Sequence, residues 1–284
     1  MAYHIAVDSC TDMTAAMKKD EHITLVPLTL NVGEDKVIDD ETFNQAEFLR
    51  KVAECPEAPS SACPSPDAYM QAYGYNNEDA YAITLSSELS GSYNSAKLGA
   101  DLLKEEYPDK KIHVFNSRSA SAGQTLILMK LQECLEAGKA FSEVVSEVEQ
   151  YIEEQATLFV LESLETLRKN GRLSGLKATL VNVLNIKPVM HVDDEGHLIA
   201  VSKVRGRKKS LLSLVEHMEQ TYSPDQNDII FIGHGDSLED AEFVRDLVQE
   251  KFGISNILIS YIGPVIGAHS GPGTIALFFF GSQR

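Results

Sequence analysis

Thr84-Leu85-Ser86-Ser87-Glu88-Leu89-Ser90-Gly91-Ser92-Tyr93-Asn94-Ser95-Ala96 follows an apolar run and opens a helical pattern that continues to Leu103. A strand ending in a hydroxyl-rich loop at a helix start offers unpaired backbone N–H groups, serine donors and the positive end of the helix dipole. Together these suit a carboxylate or a phosphate. Capping of the helix by Ser86, Ser87 or Ser90 is the more ordinary account of the same residues. A second hydroxyl-rich stretch is Ala58-Pro59-Ser60-Ser61-Ala62-Cys63-Pro64-Ser65-Pro66-Asp67. Its three prolines read as a rigid loop that presents hydroxyls at defined positions, with Ser65 as a helix N-cap and Pro66 at the first helical position.

Glycines and prolines surround a lone imidazole in Ile262-Gly263-Pro264-Val265-Ile266-Gly267-Ala268-His269-Ser270-Gly271-Pro272-Gly273-Thr274, between two apolar strands. So much glycine beside a ring donor suggests close approach of something to the backbone, although a lone histidine is more often structural. Positive charge concentrates in Arg168-Lys169-Asn170-Gly171-Arg172 and Lys203-Val204-Arg205-Gly206-Arg207-Lys208-Lys209. These are solvated faces or a docking patch for a phosphate-bearing ligand or an acidic partner. Asp8-Ser9-Cys10-Thr11-Asp12 invites comparison with phosphatase Asp-x-Asp motifs, but its second carboxylate comes four residues later instead of two. The chain contains no P-loop, dinucleotide fingerprint or nucleophile elbow, and no metal-ligand cluster is readable. No catalytic residue is assigned on these grounds.

Short apolar runs must position these segments: His4 to Val7, Ile23 to Val32, Ala80 to Leu85 and Ile112 to Phe115, with amphipathic stretches between them. That alternation predicts an α/β fold with a largely parallel sheet. After Phe141, Ser142 reads as an N-cap, and Val144, Val145, Val148, Tyr151 and Ile152 form the buried stripe of a helix. Ser237-Leu238-Glu239-Asp240 resembles a capping box, with Val244, Leu247 and Val248 as its apolar face and Gly253 as the C-cap before a strand at 257–262. Asp193-Asp194-Glu195-Gly196 reads as a hairpin turn between strands at 186–192 and 197–204. A change of character near residue 156 divides the chain into an N-terminal domain, 1–155, and a C-terminal α/β domain with a mixed sheet, 156–284.

The chain has 284 residues with 25 Lys plus Arg against 42 Asp plus Glu, a net charge of −17, which argues against nucleic acid as a partner. Its apolar runs are far shorter than the roughly 18 residues of a membrane-spanning helix, so stable membrane insertion is not expected. Four cysteines, Cys10, Cys55, Cys63 and Cys134, show neither metal-site nor disulfide spacing, and no signal peptide is expected from the first residues. A cytoplasmic location is the expectation.

Taken in order, these segments resemble the DegV family of bacterial fatty-acid-binding proteins over nearly the whole chain. Asp8 to Asp12 resembles its D-S-T/C-x-D strand end, Leu85 to Ala96 its S-S-x-L-S-G-T/S-Y-x-S-A loop, and Leu164 to Ser174 its L-x-x-L-x-x-G-G-R-I/L-S stretch. Lys187-Pro188, Lys203 to Gly206 and the H-x-G-P-G of His269 to Gly273 complete the series. The resemblance implies a two-domain DegV-like α/β fold without a cofactor. It implies a long-chain, palmitate-like fatty acid in an apolar tunnel, its carboxylate near the domain junction. Carried over residue by residue, the carboxylate contacts fall on Ser61 and on Ser90 with Gly91, and His269 lies in their neighbourhood. Some members present the acid to a separate fatty acid kinase catalytic subunit for acyl-phosphate formation, and the arginines implicated there match Arg172 and Arg205. Here Ser61-Ala62-Cys63 replaces the family's Thr-Ser-Gln, keeping the first hydroxyl but exchanging an amide for a thiol, and Asn116 stands where many relatives have Asp. The competing classes are a phosphotransferase or hydrolase using the hydroxyl loops as a phosphate cradle with His269 as general base, and an interaction module working through the basic clusters.

Overall fold

The computed structural model describes residues 2–173, 186–224 and 229–281. Two compact units emerge, Met1–Ile152 with Gly263–Val265, and Glu153–Ile262 with Ile266–Arg284. The first contains β1 (Tyr3–Asp8), β2 (Ile23–Val26), β3 (Thr29–Val32), β4 (Asp35–Ile38), α1 (Gln45–Glu54), β5 (Ser60–Ala62), α2 (Pro66–Tyr73), β6 (Asp79–Thr84), α3 (Ser92–Glu106), β7 (Ile112–Asn116), α4 (Ala122–Glu136) and nearly all of α5 (Phe141–Glu154). The expected parallel sheet is present, with strand order β2-β1-β6-β7.

The alternation of β1 explains how that sheet is covered. Ile5 and Val7, with Tyr81, Ile83 and Phe115, pack against Ile127 and Leu131 of α4 and Val144, Val148 and Ile152 of α5. The opposite face carries Ala6, Ala80 and Ala82 and receives Tyr69 and Tyr73 of α2 and Ala96, Ala100 and Leu103 of α3. Small strand residues leave room for the two closely packed helices on that side. Gly99 of α3 sets their separation, since a Cβ there would lie 2.6 Å from the Pro66 carbonyl oxygen. Overpacking costs about 1–3 kcal/mol against a gain of about 1 kcal/mol in helix propensity. Gly99→Ala is therefore expected to lower the thermal midpoint, and a midpoint equal to or above wild type would contradict this packing.

The apolar run 23–32 contains two strands, β2 and β3. Pro27 has no N–H for a ladder, and Leu28 turns out of the sheet, its N–H donating to Ser9 Oγ at 3.0 Å and its carbonyl accepting from Asp39 N at 3.0 Å. β3 then joins a separate antiparallel sheet of order β4-β3-β5. Part of the proline-rich segment read as a loop is thus an edge strand, with Leu30 opposite Ser61. Ser65 caps α2 as expected, accepting from Ala68 N at 3.2 Å. Ser142 does not cap α5: the helix begins at Phe141, and Glu143 folds back to accept from Ala140 N at 2.8 Å.

The second unit contains β8 (Gln155–Val160), α6 (Glu165–Lys169), β9 (Ile186–Val192), β10 (Leu198–Arg205), α7 (Arg207–Thr221), β11 (Ile230–Gly235), α8 (Leu238–Phe252), β12 (Ile257–Tyr261), most of α9 (Pro264–Ser270) and β13 (Thr274–Phe280). Its sheet is mixed, ordered β10-β9-β8-β13-β11-β12, with β11 and β12 parallel. The β9–β10 hairpin turns where expected, Asp193 Oδ1 accepting from the amides of Glu195, Gly196 and His197. Gly253 closes α8 in the left-handed region at φ 70°. The capping box does not form with the backbone: Ser237 Oγ donates to Asp240 Oδ2 at 2.9 Å, and Asp240 also holds Arg207. Along β13, Ile275, Leu277 and Phe279 pack against α7 and α8. Ala276, Phe278 and Phe280 are buried too, which explains why this strand reads as an unbroken apolar run. Among the described residues no helix is long and apolar enough to cross a membrane.

Candidate functional site

The hydroxyl loop between β6 and α3 is organised from below by a buried carboxylate. Asp8, at the end of β1, accepts from Leu85 N at 2.7 Å, Cys10 N at 3.2 Å and Gln124 Nε2 at 2.9 Å. Ser87 exchanges two hydrogen bonds with Asn116, and Ser86 Oγ accepts from Glu88 N at 3.3 Å. Ser86 and Ser87 therefore hold the loop together and do not cap the helix. The residue at the N-cap position is Gly91, which has no side chain to offer. Ser90 takes up that work from one residue earlier, accepting from Ser92 N at 3.2 Å, with its Oγ 3.1 Å from Ser92 Oγ. A hydroxyl that accepts from the first helical amide keeps its own hydrogen for donation, beside the positive end of a fifteen-residue helix.

The Ser61 segment reaches the same place. Beyond β5, the exposed Cys63 lies with Sγ 3.0 Å from the point a Gly91 Cβ would occupy and 3.8 Å from Ser95 Oγ. Only glycine at 91 allows that approach without displacement. The first unit thus brings together the strand carrying the half-buried Ser61 and the loop carrying Ser90 and Gly91, segments about 30 residues apart in sequence.

The Asp8–Asp12 motif, set aside in sequence as a misspaced phosphatase signature, has a structural role that sequence reasoning missed. Asp12 accepts from the Ser121 hydroxyl and, at 2.9 Å, from Gly263 N. Burial pushes Asp8 and Asp12 each up to about 6, against the lowering effect of their donors, and burial does the same to Asp39. The signal was available in the pattern itself: acidic residues directly after an apolar strand, where the sheet's loops converge.

In the second unit, His269 lies not in an open connection but near the end of the short helix α9. Its Nδ1 is 2.9 Å from Asn170 Nδ2, and Arg172 NH1 donates to the Asn170 carbonyl at 2.7 Å. The structure therefore joins the Arg168–Arg172 and Gly267–Gly273 segments. An amide nitrogen can only donate, so Nδ1 accepts and the imidazole proton sits on Nε2. Burial, reinforced by the Arg172 charge, pulls this histidine down to about 4. A base with its acceptor nitrogen engaged and so low a pKa is poorly matched to proton abstraction near neutrality, which weighs against the hydrolase reading. A depressed folded pKa means that the unfolded chain takes up the proton first. The stability difference between wild type and His269→Gln should accordingly shrink as pH falls from about 6.5 to about 4. Thermal midpoints across that range check this, and a parallel pair of curves would contradict it.

The basic clusters separate into distinct roles. Arg207 is held by Asp240 at 2.8 Å and Lys208 lies over the Phe243 ring, while Arg168 and Lys169 both face Glu165. Arg205 stands exposed at the end of β10. Among the described residues, the cluster with metal-ligand chemistry within reach is Asp193, Glu195 and His197, where Asp193 Oδ1 is engaged by three turn amides. The four cysteines are unpaired.

A family model described as uncharacterised protein, DegV family, matches residues 2–282. A DegV domain-containing protein of Clostridium perfringens is 34% identical over 285 residues, covering 99% of this chain and 98% of its own. Among solved structures, a DegV family protein from Ruminococcus gnavus, described with vaccenic acid, is 43% identical with a TM-score of 0.92, over 98% of this chain and 99% of that one. The Streptococcus pneumoniae fatty acid kinase (Fak) B3 protein, loaded with linoleic acid, is 30% identical with a TM-score of 0.89, over 99% of each chain.

Proposed function

Since the chain belongs to the DegV family, we propose that it is a cytoplasmic lipid-binding protein, not an enzyme, that holds one long-chain fatty acid by its carboxylate and its acyl chain. The observation that carries this reading is the meeting of the Ser61 strand and the Ser90 loop across Cys63 and Gly91, at the start of α3. Ser61 and Ser90 are assigned as hydroxyl donors to the carboxylate, with Gly91 giving the head group access to the helix N-terminus. The apolar tail supplies most of the affinity, since a 16-carbon chain removed from water makes about 12 kcal/mol available before ordering costs. The neighbours described with vaccenic and linoleic acid support this ligand class.

The test is a titration of delipidated protein with palmitate and with its methyl ester. Tight binding of the acid and much weaker binding of the ester supports carboxylate recognition, whereas equal affinities remove it.

Presentation to a separate kinase catalytic subunit is part of the proposal, supported by the similarity to a fatty acid kinase B protein. Arg205 and Arg172 are assigned to that encounter. Arg205 is the cleaner test, because Arg172 also holds Asn170. Arg205→Ala should keep wild-type palmitate affinity and slow acyl-phosphate formation by about tenfold when a cognate kinase is supplied, as loss of a rim charge does. Weakened palmitate binding would place Arg205 in the lipid site instead.

A further inference from the structure

Two tyrosines four residues apart on α2 share one core but not one environment. Tyr73 donates its hydroxyl to the Ala96 carbonyl at 2.9 Å. Tyr69 is fully buried, and among the described residues its hydroxyl makes no hydrogen bond of ordinary geometry, although the Ser92 side chain lies close enough to act on it. A buried phenol without a well-formed hydrogen bond costs stability that phenylalanine would avoid, so packing alone does not account for it. Its place is fixed: Tyr69 Cβ lies 3.3 Å from the point a Gly99 Cβ would occupy, in the tight α2–α3 contact. The neighbouring polar group is Ser92, the first residue of α3, itself fully buried and 3.1 Å by its Oγ from Ser90 Oγ. Burial, and then the nearby Asp8 carboxylate, holds the phenol well above its ordinary range, so it stays protonated and able to donate.

We infer that Tyr69 is a positioning residue for the head-group site, donating to Ser92 Oγ so that Ser92 donates to Ser90 and Ser90 turns its hydrogen to the carboxylate. This rests on the assignment of Ser90 as a carboxylate ligand. A bound carboxylate supplies the charge that aligns every hydroxyl in one direction.

Tyr69→Phe, delipidated and compared with wild type, tests this by two readouts. The thermal midpoint of the empty protein should be equal or higher, while palmitate affinity falls about fivefold and affinity for 1-hexadecanol changes less than twofold. Ser92→Ala and the Tyr69→Phe, Ser92→Ala pair should lose no more for palmitate than the larger single loss, as members of one chain do. Unchanged palmitate affinity in Tyr69→Phe overturns the inference. So does a lowered midpoint with equal losses for acid and alcohol, which is the signature of packing. Wild type that binds neither ligand overturns the head-group reading itself, and the role of Tyr69 with it.

Discussion

The Ser61→Ala, Ser90→Ala double variant is expected to bind palmitate about 100-fold more weakly than wild type while remaining folded. Each hydroxyl donates to a charged oxygen, and a hydrogen bond to an ionised partner contributes about 1.5 kcal/mol at the lower end of its range, so two of them amount to roughly two decades in affinity. The fold should survive for reasons visible in the backbone. Ser61 holds its place in β5 through the ladder with Leu30, which a methyl side chain does not disturb. Ser90→Ala releases Ser92 N, a capping loss of about 1 kcal/mol at an N-terminus otherwise built on backbone turns. Calorimetric titration of both delipidated proteins measures the difference. Wild-type affinity in the double variant would remove both serines from the site.

Asp8→Ala is expected to have the largest effect on stability. It deprives three buried or nearly buried donors, Leu85 N, Cys10 N and Gln124 Nε2, of their common acceptor. At about 1 kcal/mol or more for each donor left unsatisfied, the loss is about 3 kcal/mol or greater. The loop carrying Ser90 hangs from Leu85, so lipid affinity should fall along with stability. The pH dependence has a definite sign. Burial raises Asp8 to about 6 in the folded protein, above its unfolded value of about 3.8. The favourable protonation linkage is full at low pH and is lost as pH rises through about 6. The stability gap between wild type and Asp8→Ala should therefore widen as pH is lowered from 7.5 toward 5. Denaturation midpoints at the two pH values check both claims, and a variant as stable as wild type would contradict the role given to this carboxylate.

Much of this arrangement was legible in the residues themselves. Alternating apolar runs and amphipathic stretches announced the parallel sheet, because the period of a buried strand and of a one-faced helix is set by local geometry. Ser65 before Pro66, Gly253 after α8 and the Asp193–Gly196 turn were readable for the same reason: each is a local backbone requirement met by a residue suited to it. What escaped the reading depends on partners distant in sequence. Pro27 divides an apolar run whose halves join different sheets, which the run itself does not announce. Ser60–Ala62 becomes a strand because Thr29–Asn31 lies beside it. Ser142 loses its cap to Glu143, whose longer side chain reaches the Ala140 amide.

The site divides along the same line. Ser61, Ser90, Gly91 and His269 were named from motifs, but their surroundings were not. That Cys63 seats against Gly91, and that Asn170 fixes the proton of His269, follow from contacts between segments 28 and 99 residues apart. Asp8 was visible as an acidic residue after a strand, yet its function as the acceptor that ties β1 to the hydroxyl loop needed the position of Leu85, 77 residues away.

The central claim is that this chain holds a long-chain fatty acid, and the most direct measurement is mass spectrometry of the organic extract of the purified protein, quantified against protein concentration. The account predicts close to one equivalent of long-chain fatty acid, or uptake of that amount when empty protein is incubated with palmitate. An extract without fatty acid, from protein that also fails to take up added palmitate, would contradict it.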